Sequence, residues 1–201
     1  MNASGINTGT SGNLSARIDG GMLITPSAVD YNVMHPADLV IVSTAGQWAE
    51  GARPSSEWRF HRDIYAAYPE AEAIVHAHPV HCVALAALHR PIPAYHYMVA
   101  IAGGADIRCA DYATFGTQEL SDRVVEALAG RRACLMANHG LVCYGESPAD
   151  ALALAIEVEH LAHGYCTALG AGVPAVLDDE EMGRVIERFR KYRAGVIDLQ
   201  S

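Results

Sequence analysis

The chain has 201 residues, of which 51% are hydrophobic and 18% charged, and its formal net charge is −9. Its length fits one domain that buries about 70% of its unfolded surface. The acidic balance argues against binding to nucleic acid or anionic membranes, which need clustered lysine and arginine. No run reaches the roughly 20 apolar residues of a membrane helix. Five scattered cysteines without a C-x-x-C pair indicate a reducing compartment, so we expect a cytoplasmic protein.

The first 15 residues form a polar, glycine-rich segment directly before a predicted β-hairpin. The hairpin comprises residues 14–18 and 22–25, joined by an Asp-Gly-Gly turn. Such a composition is also typical of a disordered tail. Because the hairpin follows at once, we favour a loop in which Gly12 lets the backbone approach an anion and Asn13 adds a donor.

A buried strand and an amphipathic helix are predicted next. Ser27 is expected to cap a short helical turn that runs to Met34, and residues 39–43 (LVIVS) form the buried strand. A helix then begins around Ser55 and Ser56 and carries an apolar residue at every fourth position. The two serines are explained by simple capping, the commoner case, or by a phosphate or carboxylate ligand at the helix N-terminus.

Two histidines follow a β-branched strand in Ile-Val-His-Ala-His-Pro, residues 74–79. In a strand the side-chain period is two, so His76 and His78 share one face about 6.6 Å apart along the backbone. From there both rings can reach one zinc ion, whose Zn–N bonds are about 2.0–2.1 Å. Pro79 ends the strand. The spacing alone is equally typical of two half-exposed histidines at a strand end that bind no metal.

A third histidine follows a later predicted strand. An amphipathic helix over residues 80–88, a loop over 103–117 and a further helix precede the strand 133–138, which runs into His139 and Gly140. His139 is the natural third ligand, because the glycine is expected to free the backbone and turn the side chain inward.

Two helices complete the predicted elements. The first, over residues 148–169, is apolar nearly all round, and Glu159 and His163 on it indicate a solvated stripe rather than a second metal site. The second opens with acidic residues from Asp178 and ends near Tyr192. No repeat or low-complexity linker marks a boundary, so we expect a single domain over residues 1–201.

The candidate residues together define a type of chemistry. Three histidines with an open fourth position form a catalytic rather than a structural zinc site. Glu57 is the carboxylate that would act beside the metal as general base or exchangeable ligand. A neutral cradle for a phosphate is offered by Gly12, Asn13, Ser27, Ser55 and Ser56. The residues therefore indicate a metal enzyme that acts on a small phosphorylated carbonyl compound.

Several motifs carry a resemblance to a known family. They are GNLS (12–15), MLITPS (22–27), PSSEWRF (54–60), HAHPVHC (76–82), IPAYHYM (92–98), YATFGT (112–117), HG (139–140) and VE (158–159). These motifs resemble the class II aldolase/adducin family, above all its members that cleave L-fuculose 1-phosphate. The resemblance implies a three-layer α/β/α fold with a central, mainly antiparallel sheet. It also implies a homotetramer with active sites at the subunit interfaces.

The resemblance also implies roles for individual residues. His76, His78 and His139 match zinc ligands, with Co²⁺ or Mn²⁺ possible in place of Zn²⁺, and Glu57 matches the acid/base residue. The phosphate site is matched by Gly12, Asn13, Ser27, Ser55 and Ser56. Tyr97 matches a tyrosine supplied by a neighbouring subunit, Phe115 a wall of the aldehyde pocket, and Tyr192 a tyrosine that closes over the site. The implied reaction is reversible cleavage of a ketose 1-phosphate to dihydroxyacetone phosphate and a small aldehyde.

Two departures and several alternatives accompany the resemblance. Ala28 stands where the family pattern has glycine, and the N-terminal helix of the family is expected to be missing. The first alternative is an aldolase for 5-deoxyribulose or 5-methylthioribulose 1-phosphate. A same-fold 4-epimerase is disfavoured because such relatives carry aspartate at the position of Glu57, and the flanking pattern of a dehydratase matches less well. An adducin-like interaction module would lack the three histidines.

Overall fold

The computed structural model describes residues 1–193, which form a seven-stranded sheet in the order β3-β2-β1-β4-β7-β6-β5. The strands are β1 Asn13–Ile18, β2 Gly21–Ile24, β3 Val40–Ser43, β4 Ala73–Ala77, β5 Cys109–Ala110, β6 Ala133–Met136 and β7 Gly140–Gly145. Only β5 and β6 pair in parallel, and every other pair of neighbours is antiparallel. The predicted, mainly antiparallel sheet is therefore confirmed.

Helices cover both faces of the sheet. They are α1 Trp58–Ala67, α2 Val80–Ala87, α3 Gln118–Ala127, α4 Pro148–Ala171 and α5 Asp179–Arg193, with short 3₁₀ turns at Asn2–Ser4, Pro36–Asp38 and Tyr97–Ala102. Along β4, Ile74 packs into the core beneath α1 and α3, whereas its neighbour Val75 packs into the core beneath α2 and α4. This alternation gives the predicted α/β/α layers. Among residues 1–193, no helix has the length and apolar character needed to cross a bilayer.

The segment after β2 differs from the prediction. Residues 26–34 form turns rather than the expected helical turn, and Ala28 has a φ of 60°, which a right-handed helix excludes. The Ser27 N–H donates to the Arg53 carbonyl at 2.9 Å, and the Ser55 N–H donates to the Thr25 carbonyl at 3.0 Å. These hydrogen bonds between two segments of the chain take the place of the local bonds of a helix, and they hold Ser27 close to Ser55.

Glu159 is not part of a solvated stripe, so that prediction is wrong for this residue. Its side chain is only 18% exposed and accepts hydrogen bonds from the backbone N–H groups of His81 and Cys82, each at 3.0 Å. The His81 ring adds a third contact through Nδ1 at 2.8 Å. A carboxylate at this position caps the N-terminus of α2 and complements the helix dipole. Because α2 begins directly after His78 and Pro79, this cap anchors the end of β4.

Candidate metal centre

Three histidine rings meet where β4 and β7 lie side by side. His76 is on β4, paired with Val142 of β7, while His78 follows the end of β4 and His139 lies in the turn between β6 and β7. The ring centroids are 4.7 Å apart for His76 and His78, 4.8 Å for His76 and His139, and 5.1 Å for His78 and His139. One nitrogen from each ring lies within 4.8 Å of the other two. This group can therefore hold a metal ion.

The backbone turns at Asn138 rather than at Gly140, so that part of the prediction is wrong. Asn138 has a φ of 54°, in the left-handed region that asparagine tolerates better than most residues. Gly140 is required for close packing, because an added Cβ would lie 2.5 Å from the Ala77 carbonyl oxygen and 2.8 Å from the His78 ring. Asn138 and Gly140 together allow His139 to approach β4.

The possible metal-binding atoms of the site face one another. His76 Nδ1 donates to the Leu141 carbonyl at 2.8 Å, and His76 Nε2 lies 3.0 Å from Glu57 Oε2 and 2.9 Å from His78 Nε2. Among residues 1–193, Glu57 Oε1 is buried without a hydrogen-bond partner, although it lies 3.2 Å from His139 Nε2. Nitrogen and oxygen atoms this close repel one another unless a proton or a metal ion lies between them. Three imidazoles and a carboxylate suit a divalent metal ion.

The pKa values of Glu57, His78 and His139 suit metal binding. Burial raises the pKa of Glu57, but the charge of His76 and its hydrogen bond outweigh burial, so the pKa lies well below its ordinary value. Burial lowers the pKa of His76, and Glu57 reverses this and raises it. Burial, followed by the charge of His76, lowers the pKa values of His78 and His139 to about 4. At neutral pH, Glu57 is therefore ionised and His78 and His139 are neutral, as metal binding requires, whereas the raised pKa of His76 means that a metal ion competes with a proton for its Nε2.

A cavity of about 360 Å³ opens above the three histidines. It brings together most of the predicted site residues: Gly12, Asn13, Ser27, Ser55, Ser56, Glu57, His78, Phe115 and His139. Its described lining contains no lysine or arginine, so an anion there would be held by hydroxyl and amide groups. His76 lies beneath the cavity and contacts Glu57.

Two predicted residues lie outside this cavity. Tyr97 begins the 3₁₀ turn Tyr97–Ala102, is 51% exposed and stacks on Phe189 at 6.4 Å. Tyr192, near the end of α5, is 66% exposed. Neither side chain lines the cavity of its own chain.

Comparison with known proteins identifies the family. Residues 1–166 match the family model described as "Class II Aldolase and Adducin N-terminal domain". The chain belongs to the class II aldolase and adducin family. The resemblance predicted from the motifs is thereby confirmed.

Relatives in the class II aldolase and adducin family cover almost the whole chain. A 5-methylthioribulose-1-phosphate/5-deoxyribulose-1-phosphate aldolase of Rhodospirillum rubrum is 50% identical over 94% of this chain and 85% of its own length. An L-fuculose phosphate aldolase of Escherichia coli K12 is 49% identical over 96% of this chain and 90% of its own length. A solved structure of an L-fuculose 1-phosphate aldolase superposes with a TM-score of 0.90 at 42% identity, covering 94% and 90% of the two chains. The fold is thus that of class II aldolases.

One buried polar residue next to this site was not predicted from the sequence. His61, on α1, is fully buried and contacts Asn13 through Nε2. Asn13 in turn donates from Nδ2 to Glu57 Oε2 at 3.0 Å. His61 follows Phe60 on the apolar stripe of α1, so its position is typical of a core residue. The one available signal was its spacing of four from Glu57, which places both residues on one helix face.

We expect Gly12→Ala to destabilise the protein by about 3 kcal/mol, combining left-handed backbone strain with overpacking. Gly12 has a φ of +70°, and an added Cβ would lie 2.6 Å from the backbone carbonyl oxygen of His76. Gly9→Ala is the matched control, because Gly9 has a φ of +63° but nothing within 4 Å of an added Cβ. The control should lose only about 1 kcal/mol in denaturant unfolding. Equal losses in both variants would contradict a steric role for Gly12.

Proposed function

We propose that this chain is a metal-dependent aldolase that reversibly cleaves a ketose 1-phosphate, such as L-fuculose 1-phosphate, to dihydroxyacetone phosphate and a small aldehyde. One observation carries the proposal: three histidines and an ionised, buried carboxylate converge at the floor of a cavity lined with hydroxyl groups. The names of the relatives in Rhodospirillum rubrum and Escherichia coli support the same reaction class.

His76, His78 and His139 would hold the metal, with Glu57 as a further ligand while no substrate is bound. The imidazole-rich donor set favours Zn²⁺, one per subunit, and Co²⁺ or Mn²⁺ are the alternatives. When bound, such an ion supplies Lewis-acid stabilisation of the negative charge that develops on the substrate oxygens. The chain's own residues provide the remaining steps.

Glu57 is the proposed acid/base residue. In the direction of synthesis, its carboxylate removes a proton from C3 of dihydroxyacetone phosphate, and C3 then attacks the aldehyde carbon. The Tyr97 hydroxyl of a neighbouring subunit donates a proton to the aldehyde oxygen as the carbon–carbon bond forms. Cleavage follows the same steps in reverse.

The phosphate group is proposed to lie among Gly12, Asn13, Ser27, Ser55 and Ser56, which all line the cavity. Their hydroxyl and amide donors would orient the substrate without a lysine or arginine. Phe115, which lines the cavity and is 65% exposed, would contact the aldehyde portion.

We further propose a homotetramer with active sites between subunits. The exposure of Tyr97 and its position outside the cavity of its own chain support a role across an interface, and Tyr192 is proposed to close over the site. The chain is proposed to act as a single cytoplasmic domain. Size-exclusion chromatography with light scattering would measure the assembly.

A cleavage assay tests the proposed function. Purified protein is incubated with the 1-phosphates of L-fuculose, L-rhamnulose, 5-deoxyribulose and 5-methylthioribulose, and the release of dihydroxyacetone phosphate is measured with and without chelator. We expect release that the chelator abolishes and that added Zn²⁺ restores. Turnover without dihydroxyacetone phosphate would instead indicate a dehydratase or epimerase, and no turnover at all would contradict the proposal.

A second candidate has specific support from the comparisons. The Rhodospirillum rubrum relative, named for 5-methylthioribulose and 5-deoxyribulose 1-phosphates, is as similar as the Escherichia coli one, at 50% against 49% identity. The metal and carboxylate chemistry would be the same, and only the aldehyde portion would differ. A higher kcat/KM for either of these two substrates than for L-fuculose 1-phosphate in the same assay would favour this candidate.

A further inference from the structure

A chain of buried hydrogen bonds leads from α1 to the candidate acid/base residue. Tyr65 OH lies 2.8 Å from Ser15 Oγ, which lies 2.7 Å from His61 Nδ1. His61 Nε2 lies 2.5 Å from Asn13 Oδ1, and Asn13 Nδ2 lies 3.0 Å from Glu57 Oε2. All five side chains are buried.

The direction of every bond follows from the charge on Glu57. An ionised carboxylate only accepts, so the amide of Asn13 presents Nδ2 to Glu57 and Oδ1 to His61. His61 Nε2 must then carry the ring proton, which leaves a lone pair on Nδ1. Ser15 therefore donates to His61, and its oxygen accepts from the hydroxyl of Tyr65.

The opposite direction is excluded by electrostatics. If His61 carried its proton on Nδ1, the amide of Asn13 would rotate to donate to Nε2. The amide oxygen of Asn13 would then face the carboxylate of Glu57, which places two buried acceptors in contact. The position of the ring proton on His61 thus decides whether Glu57 receives a hydrogen bond from Asn13.

The surroundings keep the ring of His61 neutral. Its side chain is fully buried and stacks on Phe60 at 4.8 Å. Burial, followed by the charge of His76, lowers the pKa of His61 to about 3. Burial also raises the pKa of Tyr65, so its hydroxyl stays protonated as the terminal donor. A neutral ring has a single N–H, so all the hydrogen bonds from Tyr65 to Glu57 run in one direction at a time.

We propose that His61 is a positioning residue for the reaction: its Nε2–H fixes the amide of Asn13, and the amide holds the carboxylate of Glu57 at the substrate. The inference rests on the proposed function. His61 touches neither the cavity nor the three metal-binding histidines through a hydrogen bond. Its loss should therefore change turnover without removing the metal.

Two substitutions of His61 separate positioning from packing. Glutamine can still donate to Asn13 and accept from Ser15, whereas leucine removes both bonds at similar volume. We expect His61→Leu to lower kcat by about 10–100-fold, as misplacement of a catalytic group does, with the metal content unchanged. The kcat of His61→Gln should stay within about threefold of wild type, with KM little changed in both variants. Equal kcat losses in both variants, or none in either, would overturn the proposal.

A second measurement applies even if His61→Leu does not fold. Long-range ¹H–¹⁵N NMR of the metal-loaded protein, with the ring assigned by comparison with His61→Gln, should show Nε2 protonated and Nδ1 unprotonated. An Nδ1-protonated ring in the wild type would overturn the proposal. This result does not depend on activity, whereas absence of wild-type cleavage would count against the proposed function itself.

Tyr65→Phe tests the far end of the chain. It removes the terminal donor but leaves the charge on Glu57, which sets the direction of the other bonds, so we expect Nε2 of His61 to stay protonated and kcat to fall by no more than about threefold. Tyr68→Phe is the matched control, because the Tyr68 hydroxyl donates to the Val125 carbonyl at 2.7 Å, outside the chain of bonds. The control should leave tautomer and kcat unchanged. An Nδ1-protonated ring in Tyr65→Phe would overturn the proposal, because the direction of the hydrogen bonds would then depend on Tyr65 and not on Glu57.

Discussion

Glu57→Gln is expected to lower kcat for ketose 1-phosphate cleavage by about 10²–10⁴-fold, the range lost with a general acid/base group. Glutamine has the size of glutamate and keeps an oxygen, but it does not accept and return a proton at C3. The three histidines remain, so the metal content should stay near that of the wild type. Steady-state kinetics with metal analysis of the same samples measures both quantities.

Glu70→Gln is the matched control for this variant. Glu70 accepts a hydrogen bond from Tyr144 OH at 3.0 Å and does not line the cavity. The same chemical change there should leave kcat unchanged. Unchanged activity in Glu57→Gln would remove Glu57 from the mechanism, and loss of metal from that variant would make Glu57 a principal ligand instead.

The sequence was sufficient to predict the features that depend on local period. The rings of His76 and His78 approach each other as the alternation of an extended backbone predicts, although β4 ends at Ala77, two residues before the predicted end at Pro79. The apolar stripe of α1 and the glycine turn between β1 and β2 are equally local. The family motifs then supplied the three layers and the mainly antiparallel sheet, and the order and pairing of the strands were left open.

Contacts between segments far apart in the sequence could not be predicted from the local hydrophobic pattern. Glu159 caps a helix that begins 79 positions earlier at Val80, and its own neighbours in sequence gave only the pattern of a solvated stripe. His61 has the position of a core residue, and its buried partners Asn13 and Ser15 come from β1. Such polar partners are decided by which strands adjoin, a property of the whole fold.

The turn at His139 shows the same limit on a smaller scale. A glycine after a histidine suggests backbone freedom, but Gly140 is needed for its missing Cβ, and Asn138 adopts the left-handed conformation. A glycine needed for backbone freedom and a glycine needed for close packing look the same in a sequence. The two roles are distinguished only by the positions of Ala77 and His78, which an added Cβ at Gly140 would contact.

His139→Ala should abolish metal binding and with it nearly all cleavage. Loss of an outer-shell partner alone costs about 10–100-fold in metal affinity, so loss of one of three imidazoles should cost more. His139 lies in a turn with a side chain 14% exposed, so its removal should spare the fold better than removal of His76, which is fully buried. Metal content after gel filtration and kcat/KM are the measurements.

Thermal unfolding gives this prediction a readout independent of activity. A ligand that binds only the folded state at about 100 times its Kd adds about 2.7 kcal/mol of stability, so chelator should lower the Tm of the wild type. His160 is an exposed histidine on α4, and the Tm of His160→Ala should fall on chelation by the same amount as that of the wild type. The Tm of His139→Ala should not respond to chelator, because no bound metal remains to be removed. A full metal complement with a wild-type chelator response in His139→Ala would exclude that side chain from the ligand set.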